Sequence, residues 1–257
     1  MITLASDFGT PYPAAMKGAI VRRCDARLVD IAHDFPRQDV TASAFWLSQV
    51  LSEFPPAVHL VVVDPGVGTD RSALVVRAGD HVLVGPDNGV LCPPARELAD
   101  ATGSDTDAIE MYEIAVDEPR SATFHGRDVF APAAAEVHGV DAERLPEVGS
   151  ISPVDDVVDL RFPEPEIRDD IAVGTVLVVD GFGNVITNVP GKVLEGRQTV
   201  RIEGNPRPVV PSYAHAEVGT PVVTVGSHGN VECAVNRGRG DEAFGLAVGE
   251  TVRIDFE

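Results

Sequence analysis

Apolar residues gather in short unbroken runs over the first half of the chain, and the stretches between those runs have the composition of helices. Residues 1–6 read as a strand that ends at Asp7, residues 14–24 as a helix, and residues 27–32 as a second strand. A longer helix is expected over 39–53, with Asp39 as its N-cap. Three valine-rich runs follow at 58–64, 72–78 and 81–87. Continuous apolar runs imply a sheet buried on both faces, the habit of parallel α/β folds. Another helix is expected at 129–140, with Pro132 in its first turn and Gly139 near its end.

The pattern changes near residue 145. A stretch rich in proline and acids, 146–170, reads as a linker. Beyond it, strand-length runs at 171–180, 184–189, 199–204, 220–227, 230–236 and 250–257 are separated by turn residues at regular intervals. That spacing predicts a small antiparallel sheet or barrel. The expected class is an N-terminal α/β sheet domain over 1–145, followed by a smaller antiparallel β-barrel domain over 171–257.

Composition adds limits. The chain has 257 residues, enough for one large or two modest cores, and is 44% hydrophobic and 23% charged. No run approaches the ~20 apolar residues of a membrane helix. The opening MITLASDFGT has no basic region before its first acid, so it reads as a strand and not a signal peptide; a cytoplasmic location is expected. Cys24, Cys92 and Cys233 are odd in number and scattered, consistent with free thiols and with no metal-ligand spacing. The formal charge is −20, from 40 acids against 20 bases, and only Lys17 and Lys192 among those bases are lysines. So acidic a surface repels nucleic acid and anionic membranes. With so few lysines it also suits a protein hydrated in high salt, a halophilic adaptation.

Several residues could carry chemistry. Asp64 ends one buried strand and Arg71 begins the next, across Pro-Gly-Val-Gly. Strand ends are where α/β proteins bind ligands, but an ion pair that only braces the turn has the same spacing. A dinucleotide loop fits poorly, because Arg71 stands where its third glycine belongs. His125 lies in a polar Phe-His-Gly-Arg-Asp turn, where it can exchange protons near neutral pH or simply pack. Asp7 can hold ribose hydroxyls or cap the next helix. Asp180, Phe182 and Asn184 share one glycine-rich turn, Ser227 and His228 another, and Tyr213 offers a flat stacking face. Together they describe a pocket for a flat base and an amino-acid-like group.

The ordered strings SDFGT, DIAHDFP, VDPGVGTDR, GPDNGVL, FHGRDVFAPAAA, DGFGNVITN and GSHGNVECAVN extend this reading. Through them the chain resembles, essentially end to end, the S-adenosylmethionine (SAM) hydroxide adenosyltransferases, relatives of fluorinase and chlorinase. The resemblance implies a homotrimer whose active sites lie between the N-terminal domain of one subunit and the C-terminal domain of its neighbour. It implies hydrolysis of SAM to adenosine and L-methionine, without metal or other cofactor, by an Asp-Arg-His triad that falls on Asp64, Arg71 and His125. It further assigns Asp7 to the ribose diol, Asp180 to the methionine amino group, Ser227 to its carboxylate, Phe182 and Tyr213 to the faces of adenine, and Asn184 to its edge.

There are departures from the family pattern. An acid that relatives carry shortly after the DFGT motif is missing from TPYPAAMKG. His228 stands where the fluorinase has arginine. Halogenases have tyrosine at the Asp64 position, and the fluorinase also has a serine at the Gly126 position and a long insertion absent here. The chlorinase shares glycine at 126, so Asp64 is the residue that separates water from halide chemistry. A chloride-using adenosyltransferase and a non-catalytic SAM or adenosine sensor are the competing readings.

Overall fold

The computed structural model describes residues 1–101, 109–116 and 120–256. It divides into two compact units, Met1–Arg161 and Phe162–Glu257.

The first unit contains β1 (Ile2–Ser6), α1 (Tyr12–Val21), β2 (Leu28–Ala32), α2 (Val40–Val50), β3 (Val58–Val62), β4 (Ala73–Ala78), β5 (His81–Pro86), α3 (Cys92–Ala101), β6 (Ile109–Ile114), α4 (Ala131–Val137) and β7 (Ile151–Pro153). Its seven strands lie in the order β2-β1-β3-β5-β4-β6-β7. Every residue of β1, β3 and β5 is buried, as their unbroken apolar runs predict. Val58, Leu60 and Val62 share a core with Met16 and Ile20 of α1 and with α4. The intervening His59, Val61 and Val63 point to the other face and are buried as well, so both faces are covered. Asp39 caps α2 as expected, its carboxylate accepting the Ala42 N–H at 2.9 Å.

The sheet is mixed and not wholly parallel. β1, β2, β3 and β5 run parallel, whereas β4 pairs antiparallel with both β5 and β6. The reason is loop length. Only Gly79 and Asp80 separate β4 from β5, enough for a hairpin but far short of the dozen or more residues a parallel crossover needs. Gly79 supplies the positive φ of that turn. The expected helix at 129–140 begins earlier, with a π-helical turn over Gly126–Phe130 that leads into α4.

Near the start of β3 lies a buried polar cluster. His59 Nδ1 is 2.8 Å from Thr3 Oγ1, and His59 Nε2 is 2.9 Å from His81 Nδ1. Burial, and then the neighbouring His81, push the His59 pKa down from 6.5 to about 3. His59 is therefore neutral in the fold and protonates more readily when unfolded. Stability should fall as pH drops from 6.5 towards 3, by up to ~1.4 kcal/mol per pH unit for this one group. Urea melts across that range test it; His59→Gln should flatten the acid limb.

The second unit contains β8 (Glu166–Ile167), β9 (Ile171–Val179), β10 (Val185–Pro190), β11 (Thr199–Ile202), β12 (Asn205–Pro208), β13 (Pro221–Val225), β14 (Asn230–Val235), α5 (Gly240–Phe244) and β15 (Thr251–Phe256). The strands pair antiparallel in the order β12-β11-β15-β9-β10-β14-β13, with β8 on β9. A bridge between Val209 and Val223 brings the two edges together, so the sheet is nearly a closed barrel. Its interior is filled by Val176, Val185, Val200, Val223, Val231, Val252 and Ile254.

Candidate active site

The order of strands places the site in the first unit. β1 is flanked by β2 on one side and β3 on the other, so the chain steps one way from β1 to β2 and then back across β1 to β3. Crevices at such reversal points, outside the carboxyl ends of strands, are where ligands bind. Ser6 is in register with Val62 across β1 and β3, so Asp7, one residue on, and Asp64, two residues on, emerge at the same sheet edge. Both line a cavity of about 500 Å³, together with Tyr12, Phe124, His125 and Gly126.

Asp64 is nearly enclosed, with 6% of its side chain exposed. Its Oδ1 accepts the Gly66 N–H at 3.0 Å and lies 3.7 Å from Arg71 Nη1. Oδ2 receives no hydrogen bond among the described residues. Burial holds the Asp64 carboxyl above its ordinary pKa. The Gly66 N–H and the charges of Arg71 and His125 oppose that shift, while Asp7 adds to it. Arg71 and His125 also line a second cavity adjoining the first at His125.

Glycines make this packing feasible. A Cβ on Gly66 would sit 2.5 Å from Arg71 Nη2 and 2.7 Å from its Cζ, so the guanidinium rests directly on the Gly66 backbone. A Cβ on Gly126 would meet Met16 Sδ at 2.9 Å. Asp7 is fixed by the Gln38 N–H, 2.6 Å from Oδ2, and Gln38 has a positive φ of 62°. Phe8, Tyr12 and Phe124 form an edge-to-face trio with centroids 5.5–6.2 Å apart. Thus the segment that lacks the family's extra acid contributes an aromatic ring to the cavity wall. Neither Gln38 nor the aromatic trio has a local mark in the sequence, although Phe8 and Phe124 stand in the strings that carry the resemblance.

In the second unit, the turn between β9 and β10 is organised by Asp180. Its Oδ1 accepts the N–H groups of Phe182 and Asn184, each at 2.9 Å, and its Oδ2 accepts Asn184 Nδ2 at 2.9 Å. Asn184 Nδ2 also lies 3.4 Å from Tyr213 Oη. Phe182 projects from this turn 81% exposed. Ser227 is exposed in the turn before β14, which is closed by Gly229 N–H to Gly226 O at 2.9 Å. The residues from the sequence therefore form two sets: Asp7, Asp64, Arg71 and His125 in the first unit, and Asp180, Phe182, Asn184, Tyr213 and Ser227 in the second. Glu232, a buried acid on β14 bonded to Tyr213, was missed.

The chain is similar to known proteins over both of its units. Residues 2–147 match the SAM hydroxide adenosyltransferase N-terminal domain, and residues 174–253 match the C-terminal domain of the same family. A Thermus thermophilus protein named (R)-S-adenosyl-L-methionine hydrolase is 40% identical over 261 residues, with 97% of each chain covered. A Salinispora tropica protein of the same name is 37% identical over 262 residues, covering 98% of this chain and 97% of its own. A fluorinase of Actinopolyspora mzabensis is more distant, 26% identical over 296 residues, covering 99% of this chain and 96% of its own. The crystal structure of a conserved protein from Thermotoga maritima superposes with a TM-score of 0.83 at 31% identity, covering 99% of this chain and all of that one. The chain therefore belongs to the SAM hydroxide adenosyltransferase family.

Proposed function

We propose that this protein hydrolyses SAM to adenosine and L-methionine, and that Asp64, Arg71 and His125 activate the water. The oxygen of water attacks C5′, the C5′–S bond breaks, and its electron pair neutralises the sulfonium as methionine leaves. The leaving group is already cationic, so the demanding partner is the nucleophile. Holding a water in line with C5′–S removes an entropic barrier that can reach ~7–11 kcal/mol. Asp64 accepts the proton that the water gives up, His125 orients the water and relays that proton outward, and Arg71 stabilises hydroxide character.

The observation that carries this reading is the Asp64 carboxylate, enclosed, with one oxygen free of donors, beside Arg71 and His125 on a cavity wall. A fixed carboxylate there repels halide and welcomes water. Asp7 would hold the ribose diol, Asp180 the methionine ammonium, Ser227 the carboxylate, and Phe182 and Tyr213 the adenine faces. Since Asn184 Nδ2 is committed to Asp180, Asn184 would meet the adenine edge through Oδ1, as an acceptor for the exocyclic amine. The working unit would be a homotrimer in the cytoplasm that unites these two residue sets across subunit boundaries. Among the described residues no helix is long and apolar enough to cross a membrane.

The test is incubation with SAM in ¹⁸O-water and concentrated potassium chloride, followed by mass-resolved chromatography. Adenosine labelled at its 5′ oxygen, with unlabelled methionine, is expected. 5′-Chloro-5′-deoxyadenosine, or SAM left intact, would overturn the reading.

The charge of −20 belongs to the same proposal. At molar salt the Debye length is ~3 Å, and at ~0.1 M it is ~10 Å, so repulsion within and between subunits grows on dilution. Melting temperature and trimer mass should both fall between those salt concentrations. An unchanged trimer with unchanged melting would refute a halophilic design.

A further inference from the structure

Glu232 lies on β14 between Val231 and Cys233 and is 4% exposed. A carboxylate so deeply placed needs partners, and it has two. Tyr213 donates its hydroxyl proton to Oε1, and His228 Nε2 stands 3.2 Å from Oε2. The backbone fixes the histidine's tautomer: Asn230 N–H points at His228 Nδ1 at 3.2 Å, so Nδ1 accepts and Nε2 carries the proton given to Glu232. Gly226 lies directly against this pair, and any Cβ there would collide with the His228 ring and with Glu232 Oε2. On the other side, Asn184 Nδ2 reaches both Tyr213 Oη and Asp180 Oδ2. One hydrogen-bonded chain thus runs from the Asp180 turn, through Asn184, Tyr213, Glu232 and His228, to the Ser227 turn.

We propose that Glu232 is the positioning residue of the barrel's half of the substrate site, fixing the Tyr213 ring and the Ser227 turn together through its two carboxylate oxygens. The proposal rests on the reading that Tyr213 flanks adenine and Ser227 takes the methionine carboxylate. It also gives His228 a part different from that of the fluorinase arginine. Its side chain is 4% exposed and both ring nitrogens are engaged, so it braces the turn and is no ligand for the substrate carboxylate. That carboxylate is left to Ser227, which is exposed. The Tyr213 hydroxyl remains a proton donor under all working conditions, since burial and then the bond to Glu232 hold its pKa above the ordinary value.

The test compares Glu232→Gln, Tyr213→Phe and the double variant with the unmodified protein, measuring SAM turnover and adenosine binding by calorimetry. The amide keeps an acceptor for Tyr213 but can present an N–H to His228 Nε2. In either single variant KM for SAM and Kd for adenosine should rise about tenfold while kcat changes less than about threefold, because the triad is untouched. The double variant should lose little more than either single one, as members of one chain do. A merely structural Glu232 would lower melting temperature and active fraction without moving KM. Unchanged KM and Kd in both single variants, or additive losses, would overturn the inference. If Glu232→Gln does not fold, Tyr213→Phe decides: a raised Kd supports the proposal and an unchanged one sinks it. An unmodified protein that neither binds adenosine nor cleaves SAM would instead remove the functional reading, and this inference with it.

Discussion

Asp64→Asn should lower kcat by about 10²–10⁴-fold, the range of a lost general base, while leaving Kd for SAM within a few-fold of its starting value. The substitution keeps Oδ1 as acceptor for the Gly66 N–H, so the turn should hold its shape. What it removes is the negative charge of an enclosed carboxylate whose Oδ2 receives no hydrogen bond among the described residues. Stability gives a second readout with a definite sign. Burial raises the Asp64 pKa above 3.8, so the folded state holds that proton more tightly than the unfolded chain does. The resulting stabilisation is complete below about pH 3.8 and is lost as pH rises through the raised value. At neutral pH the ionised carboxylate is therefore a burden on the fold, and the asparagine variant should melt higher than the unmodified protein. The two should converge in acid. For the same reason the rising limb of kcat/KM against pH should lie above pH 3.8 and vanish in the variant. Full turnover by Asp64→Asn would end the assignment. Lost turnover together with lost binding would make Asp64 a substrate ligand and not a base.

How far the sequence exposed this arrangement depends on the kind of signal. The Asp64–Arg71 pairing was visible because strand ends and tight turns leave local marks, and β1 and β3 were visible because full burial writes an unbroken apolar run. One local signal misleads. The two-residue Gly79-Asp80 turn forces an antiparallel hairpin, and it outweighs the parallel inference drawn from the valine runs beside it. The expected elements omit α3, in which Pro93 and Pro94 both fall in the first helical turn, where no N–H is needed. β12 is not among the expected strands; Pro206 and Pro208 are tolerated there because it is an edge strand, with β11 as its ladder partner among the described residues. Other features have no local mark at all. Glu232 is one acid in a strand, and its meaning comes from Tyr213, 19 residues away. Gln38 reaches Asp7 across 31 residues, and His59 reaches His81 across 22. Such pairings are products of topology, so periodicity along the chain is silent about them.

Gly66→Ala is expected to reproduce the loss of Arg71 without touching Arg71. The guanidinium lies so close over Gly66 that a methyl group would stand 2.5–2.8 Å from Nη2, Cζ and Nε, inside any tolerable contact. The side chain is the flexible partner, and it should swing away. Gly66 does not occupy the left-handed region, so alanine introduces no backbone strain at this position. The turn's own bonds, Val67 N–H to Asp64 O and Thr69 N–H to Gly66 O, need no side chain at 66. The fold should therefore be nearly indifferent, with a melting temperature close to the original. Turnover should not be. With its cation displaced, the developing hydroxide loses a preorganised partner, and the loss should approach that of Arg71→Ala, about 10²–10³-fold in kcat. Asp64 also loses the charge that opposes its raised pKa, so the acid limb of the pH profile should move up in the alanine variant. A double variant, Gly66→Ala with Arg71→Ala, should be no slower than Arg71→Ala alone, because both changes act through one guanidinium. Additive losses would mean that Gly66 matters through the turn itself. An unaffected Gly66→Ala enzyme would mean that Arg71 can serve the reaction from elsewhere, and the ion pair with Asp64 would return to being a brace.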